Sequence, residues 1–164
     1  ECDLLLLLVD AGGSLDEMER KLLTSIRELT ERALEVGETS IMERIQLVLT
    51  KRDTVEKGTL DDKKAMISGH GFSNPLFISS YSGEGIEKLQ SIVLSTLFGP
   101  KRTLLIHNPE PNQIASEAIL SRVFNAVYVH EHQRVGNAIE VRISASDETV
   151  AILFSKYGQR IELK

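Results

Sequence analysis

Two short apolar runs, each followed directly by polar residues, constrain the fold of this chain most. The first run, residues 45–49, leads into Thr50-Lys51-Arg52-Asp53. The second, residues 76–78, leads into Ser79-Ser80-Tyr81-Ser82-Gly83-Glu84-Gly85. Short apolar runs bounded by turn residues are typical of buried strands in a parallel sheet, and ligands of open α/β sheets bind at the carboxyl ends of such strands. The pattern therefore predicts a binding site formed by the residues that follow these two strands.

Asp53 is the strongest candidate for a binding residue. A carboxylate accepts hydrogen bonds, and a purine that carries a ring N–H beside an exocyclic amine can donate two of them to it. Guanine has this edge and adenine does not. In this interpretation the Lys51 alkyl stem lies along the base and Thr50 braces the loop. Taken alone, the tetrapeptide fits a solvated loop after a strand equally well.

The second polar segment favours the binding interpretation. The Ser79 hydroxyl is placed to hold the Asp53 carboxylate, and the Ser80 backbone N–H is placed to donate to guanine O6. Gly83 and Gly85 allow a tight turn into the next helix. An ordinary connection rich in Ser and Gly is the alternative. Because both segments follow apolar strands in the right order with a helix between them, the pair predicts guanine recognition.

The first hundred residues read as alternating strands and helices. Residues 3–10 are nearly continuously aliphatic and predict a strand buried on both faces. Ser14 and Glu17 form a capping box at the start of a helix that runs to about Val36. Further helices are predicted at residues 59–68 and from Gly85 to Leu97. This order predicts an α/β domain over residues 1–99 with a parallel, helix-covered sheet.

Gly99-Pro100 marks the predicted domain boundary, and residues 100–164 have a different order of predicted strands and helices. The expected order is a strand at 103–106, a helix at 111–120, strands at 123–130 and 139–143, a helix from Ser146 and a strand at 161–163. This β-α-β-β-α-β order is compatible with a small ferredoxin-like α+β domain. Residues 1–100 carry 11 Lys and Arg against 17 Asp and Glu, whereas the remainder carries 8 against 7, which also favours two units.

Composition excludes several classes of protein. The formal net charge of −5 gives no overall basic field that would attract nucleic acid or anionic lipid. The single Cys2 rules out an internal disulfide and suits a reducing compartment. The Leu4–Leu8 run is too short to span a bilayer and lacks the flanks of a signal peptide. We therefore expect a soluble intracellular protein, in the cytoplasm or in the matrix of a mitochondrion or another organelle.

Two other features of the sequence are candidate sites. Asp10-Ala11-Gly12-Gly13 matches the D-x-x-G that senses a γ-phosphate, but only one helix separates it from Thr50, so Asp10 is interpreted as a residue approaching a helix. His107, His130 and His132 have no acidic or Cys partners at ligand spacing, and no metal site is predicted. No G-x-x-x-x-G-K-[ST] phosphate loop and no catalytic pair occur in the chain.

The chain resembles the C-terminal half of the HflX family of ribosome-associated GTPases. Cys2 to Ala11 is similar to the family's "ADLLLHVVDA" strand, Thr50-Lys51-Arg52-Asp53 to its N-K-x-D, and Ser79 to Gly85 to its S-A-x-x-G-x-G. Residues 136–143 are similar to a strand of the family's small C-terminal α/β domain. Thr50 stands where the family has Asn, and Ser80 where it has Ala.

The resemblance implies the second half of a P-loop GTPase-type domain followed by a small C-terminal domain. It implies GTP as ligand, with Mg²⁺ and the phosphates held by an upstream half, and the large ribosomal subunit as partner, in subunit splitting or ribosome assembly. The guanine-binding residues would be Thr50, Lys51, Asp53, Ser79 and Ser80, with no catalytic residue in this stretch. The alternatives are a degenerate, non-catalytic GTPase-like scaffold and, less favoured, a P-loop NTPase of another family.

Overall fold

The computed structural model describes residues 2–107 and 113–164, with the side chains of residues 113–116 left out. Its strands are β1 (Leu5–Asp10), β2 (Ile45–Thr50), β3 (Leu76–Phe77), β4 (Lys101–His107), β5 (Tyr128–Val135), β6 (Ala138–Ser144) and β7 (Ile161–Leu163). Its helices are α1 (Leu15–Glu35), α2 (Lys57–Gly69), α3 (Ile86–Phe98), α4 (Gln113–Phe124) and α5 (Asp147–Tyr157). The chain forms two compact units, one ending at Ser91 and the other beginning at Ile92.

The first unit contains a three-stranded parallel sheet in the order β1-β2-β3. Asp10 at the end of β1 is in register with Thr50 at the end of β2, and Leu49 is in register with Phe77 in β3. The carboxyl ends of all three strands therefore lie at one edge of the sheet. The prediction of parallel strands alternating with helices is confirmed for this unit.

One face of this sheet packs against α1 and α2. Its buried cluster joins strand residues with helix residues: Leu7, Val9, Ala11, Met18, Leu22, Leu47, Leu49, Val55, Ile67 and Phe72. The helix α1 begins as predicted, because the Ser14 hydroxyl accepts a hydrogen bond from the Glu17 backbone N–H at 3.3 Å. This packing orients the carboxyl end of β1 relative to that of β2.

The expectation that the first strand is buried on both faces is wrong for β1. Leu7 and Val9 are buried, whereas Leu6 is 37% and Leu8 is 60% exposed. Successive side chains of a strand point to opposite faces, and the core cluster takes only the face that carries Leu7. β1 is also an edge strand of its sheet. Within the residues that the structure describes, this continuous aliphatic run therefore forms a strand that is buried on one face only.

The second unit contains a separate four-stranded antiparallel sheet in the order β5-β6-β4-β7. Its core includes Leu104, Ile106, Val141 and Ile143 from the sheet. The strand expected at residues 123–130 begins only at Tyr128, because Val123 is a buried residue of α4. The predicted start of that helix at Pro111 lies outside the described residues. Ser146 caps α5 by accepting a hydrogen bond from Thr149 N at 3.2 Å.

Candidate functional site

The five predicted site residues lie at the carboxyl edge of the parallel sheet, at the end of β2 and in the loops that follow β2 and β3. Thr50 is the last residue of β2, and Asp53 lies in a short 3₁₀ turn, Arg52–Thr54. Ser79 and Ser80 follow β3 directly. The parallel register of β2 and β3 brings these loops together, because Ile78 N donates to Leu49 O at 2.8 Å.

The side chain of Ser79 holds the loop after β3 in place. Its side chain is fully buried, with 0% exposure. The hydroxyl donates a hydrogen bond to Asp53 Oδ1 and accepts hydrogen bonds from Tyr81 N at 3.2 Å and Ser82 N at 3.0 Å. A buried hydroxyl with all these partners satisfied can hold only a narrow range of orientations. Ser79 therefore fixes the position of the Asp53 carboxylate.

Asp53 presents the remainder of its carboxylate to solvent. The residue is exposed, and its Oδ1 is bound by Ser79. Within the described part of the chain, no hydrogen bond to its Oδ2 is found. A carboxylate oxygen has two lone pairs, so Oδ1 keeps one acceptor site and Oδ2 keeps both. The group can accept two parallel N–H donors from a ligand.

Arg52, which the sequence interpretation did not single out, joins the two loops. Its backbone N–H donates to Ile78 O at 2.9 Å, and its side chain, 16% exposed, donates from Nη1 to Val55 O at 3.1 Å. Its Nε also lies 3.7 Å from Glu84 Oε1. The loop after β2 is thus attached to the loop after β3 at Arg52, the residue next to Asp53. The position is the variable residue of the tetrapeptide, so no motif pointed to it.

Gly85 allows the second loop to return to the sheet before α3 begins. Its φ is +78°, and a Cβ there would stand 2.3 Å from Phe77 O. Gly83 N donates to Ser79 O at 2.9 Å, and Ser79 N donates to Glu84 O at 2.9 Å. These bonds close a tight turn around Ser79. The expected glycine-dependent turn is present, and Gly85 is required by a close approach to backbone.

Lys51 has a left-handed backbone, with φ 58° and ψ 41°. Its Nζ donates to Asp10 Oδ2 at 2.7 Å, so its alkyl stem reaches from the end of β2 to the end of β1. The sequence interpretation placed this stem along a base but did not foresee Asp10 as the partner. Left-handed backbone is costly for a residue with a Cβ, and such strain is concentrated at functional sites.

The ion pair shifts both partners toward their charged forms. The hydrogen bond from Lys51, and after it the bond from the Gly12 N–H, lowers the pKa of Asp10. The Asp10 carboxylate in turn raises the pKa of Lys51. Because the folded-state pKa of Asp10 is lowered, its contribution to stability is present above its unfolded pKa and lost as pH falls through the folded value. The Asp10 side chain is 34% exposed and that of Lys51 is 62% exposed, so the contribution of the pair to stability is small.

The remaining two predicted residues have modest contacts. Thr50 is half-buried; its Oγ1 donates to Val9 O at 3.4 Å, and its carbonyl accepts from Ala11 N at 3.0 Å. Ser80 is exposed, and among the described residues its backbone N–H has no hydrogen-bond acceptor. Thr50 therefore contacts the strand β1 and the residue after it, while Ser80 keeps a donor for a ligand.

Lys63 of α2 is a second residue that the sequence interpretation missed. It is only 5% exposed, and its Nζ donates to Gly13 O at 2.8 Å and to Ala11 O. Burying an ammonium group without hydrogen bonds is costly, and here two backbone carbonyls supply them. Lys63 thereby fixes the loop that follows β1. Mixed polarity in α2 gave no signal that this particular Lys turns inward.

The three histidines of the second unit have separate surroundings. His107 Nε2 lies 3.1 Å from Glu162 Oε2. His130 Nε2 lies 2.9 Å from Ser144 Oγ, and burial lowers the pKa of His130. His132 packs edge-on against the Phe124 ring at 5.5 Å. A register shift between Val129 and Glu131 interrupts the alternation that would have placed the two on one face. In the ranges that the structure describes, no group of three or more His, Cys, Asp or Glu could hold a metal ion.

Comparison with known proteins assigns no family to the chain. No protein-family model matches it, and no curated protein sequence matches it significantly. None of the helices in the described ranges has the length and apolar character needed to cross a bilayer.

The backbone strain at Lys51 leads to a prediction about stability. Left-handed backbone costs a non-glycine residue roughly 1 kcal/mol, so in Lys51→Gly the relief of strain should offset the loss of the exposed ion pair. Lys64→Gly is the matched control, because Lys64 also has an exposed ion-pair partner, Asp61, but lies inside α2. It should cost about 1 kcal/mol. Urea unfolding measures both, and equal destabilisation by the two variants would show that Lys51 is unstrained.

Proposed function

We propose that the first unit is the guanine-recognising part of a P-loop GTPase-type domain and that the protein is a ribosome-associated GTP-binding factor of HflX type. The three parallel strands, with polar loops at their carboxyl ends, support a nucleotide-binding sheet. For the second unit we propose a ferredoxin-like fold. Its helices α4 and α5 join strands that are separated in the sheet by one other strand, as in a split β-α-β arrangement.

The hydrogen bond from buried Ser79 to Asp53 is the observation that carries this proposal. It holds one carboxylate oxygen while the second faces solvent, and it leaves two acceptor sites side by side. The ring N–H and exocyclic amine of guanine are donors with matching spacing. Adenine presents an acceptor nitrogen on that edge and would place lone pairs against the carboxylate. The arrangement therefore fits a guanine base and disfavours an adenine base.

The other residues have positioning roles in the proposed complex with GTP. The Lys51 stem supplies an apolar surface for the base, and the Ser80 N–H is available to guanine O6. Thr50 keeps the end of β2 attached to β1. Mg²⁺ and the phosphates would be held by an upstream half of the protein, since residues 1–164 encode no phosphate loop. Hydrolysis, where it occurs, would use those residues.

The proposed partner is the large ribosomal subunit, and the resemblance is its main support. The net charge of −5 disfavours broad electrostatic attraction to RNA, so the contacts would be local and shared with ribosomal proteins. Subunit splitting and ribosome assembly are both compatible roles. The mitochondrial matrix and the cytoplasm are both compatible compartments, because each contains ribosomes and keeps thiols such as that of Cys2 reduced.

Co-sedimentation with isolated ribosomal subunits tests the proposal. The full-length protein should pellet with the large subunit in the presence of a non-hydrolysable GTP analogue and remain in the supernatant with the corresponding ATP analogue. The small subunit is the matched control for non-specific RNA binding, and the experiment should be repeated at two salt concentrations. Preference for the small subunit, or no association in any nucleotide state, would reject the ribosomal part of the proposal.

A further inference from the structure

The loop that follows β1, residues 10–14, is held in one conformation by a hydrogen bond within the loop and by hydrogen bonds to β2 and α2. Ala11 N donates to Thr50 O at 3.0 Å, and Gly12 N donates to Asp10 Oδ1 at 2.8 Å. From the other side, buried Lys63 donates to the carbonyls of Ala11 and Gly13. We call residues 10–14 the β1–α1 loop. With these bonds made, the loop is a rigid support rather than a flexible connection.

The β1–α1 loop also lies directly against the loop that carries Lys51. A Cβ added to Gly12 would stand 2.6 Å from Thr54 Oγ1, so only a glycine permits this approach without a shift. Thr54 Oγ1 in turn donates to Lys51 O at 2.9 Å. Movement of the β1–α1 loop would therefore be transmitted to the backbone of Lys51.

Asp10 uses its two carboxylate oxygens for different purposes. Oδ1 accepts from Gly12 N within its own loop, and Oδ2 accepts from Lys51 Nζ at 2.7 Å across the sheet edge. Because Asp10 and Thr50 are in register, the Lys51 stem must cross from β2 to β1 to make this contact. The four methylene groups of Lys51 therefore lie across the carboxyl edge of the sheet, next to Asp53.

We propose that Asp10 is a positioning residue for guanine-nucleotide binding, acting by holding the Lys51 stem as an ordered apolar surface beneath the base. The inference rests on the proposed function and adds a residue to it that no motif assigns. Asp10 does not touch the ligand. Without its carboxylate, the four-carbon side chain of Lys51 would sample several rotamers, and ordering it would oppose binding.

This role has a signature that distinguishes it from recognition of the base edge. The Lys51 stem contacts the flat face of the purine, which guanine and hypoxanthine share, whereas Asp53 contacts the donors on the edge. Loss of Asp10 should therefore weaken binding of both bases by the same factor. Loss of the Asp53 carboxylate should change the ratio between bases.

The experiment uses the full-length protein and measures the dissociation rates of fluorescent GDP and of its hypoxanthine analogue IDP. Asp10→Asn keeps an oxygen acceptor for Gly12 N but removes the charge that holds Lys51. We expect about fivefold faster dissociation of both nucleotides. Because the exposed pair contributes little to stability, the melting temperature in the absence of nucleotide should fall by at most about 4 °C. Glu117→Gln is the matched control: it breaks the exposed Arg134–Glu117 pair of the second unit, and dissociation should stay at the wild-type rate.

A double-mutant cycle separates action through Lys51 from a direct effect. In a Lys51→Met background, which keeps a long apolar stem but has no ammonium group, Asp10→Asn should have no further effect. An undiminished effect in that background, or wild-type rates in Asp10→Asn alone, would overturn the inference while leaving the proposed function intact. A wild-type protein without affinity for guanine nucleotides would overturn the proposed function and this inference with it.

Discussion

Asp53→Asn should exchange the base preference of the protein from guanine to xanthine. The Asn amide turns an NH₂ group toward the donors of guanine, leaving buried polar groups unpaired, whereas xanthine offers a carbonyl at that position. Sites that lose such pairing discriminate by roughly four to five orders of magnitude. Because Ser79 can donate to an amide oxygen as it does to Asp53 Oδ1, the loop should keep its conformation. GTP and XTP affinities of the full-length protein measure the exchange.

The matched control is Asp61→Asn, which changes an exposed Asp in α2 that pairs with Lys64 and lies outside the site. It should leave both affinities at the wild-type value. A weakened GTP affinity without any gain for XTP would indicate that Asp53→Asn perturbs the loop rather than the base contact. An unchanged preference in Asp53→Asn would remove Asp53 from the base pocket altogether.

Residues 1–164 expressed alone should not hydrolyse GTP and should bind it very weakly. The affinity of P-loop proteins for nucleotide comes largely from backbone N–H groups and a Lys around the phosphates, with Mg²⁺ completing the site. The chain encodes no such loop. Hydrolysis also needs a positioned water and charge stabilisation at the γ-phosphate. Phosphate release over several hours should therefore stay at the rate of a protein-free blank.

Residues 1–164 should also be poorly soluble, because β1 is an edge strand in the part of the chain that the structure describes and its Leu8 is exposed. Leu8→Lys provides a soluble version for the turnover assay, since it changes an exposed side chain outside the core cluster. Steady GTP turnover by either fragment would place the active site elsewhere in the chain. Absence of GTP binding by the full-length protein would favour the non-catalytic scaffold.

The organisation of the sheet was predictable because it depends on local patterns. The runs at residues 45–49 and 76–78 are short and bounded by turn residues, so the parallel strands and their alternation with helices along the chain followed from the sequence. The order of the strands in the sheet did not. The contact between Ser79 and Asp53 was also foreseen, since parallel neighbouring strands must bring their following residues together. The one-sided burial of β1 was not, because an aliphatic run indicates apolar character without indicating how many faces other elements cover.

The ion pair between Asp10 and Lys51 and the buried position of Lys63 were beyond sequence reasoning for another reason. Both join residues more than forty positions apart, and neither has a local pattern. Lys63 lies in a helix of mixed polarity, where a Lys is ordinarily a solvated residue. Its inward orientation is decided by two carbonyls of a distant loop. Such contacts depend on tertiary packing, which periodicity does not report.

The bonding of Ser79 has a consequence for the kinetics of ligand capture. Its hydroxyl is committed to two turn amides and to Asp53 by the fold itself, before any ligand arrives. A base entering this site would therefore meet acceptors already oriented, and no loop would have to become ordered around it. Binding of the base should proceed in a single kinetic phase, at a rate set by diffusional encounter rather than by rearrangement of the loops.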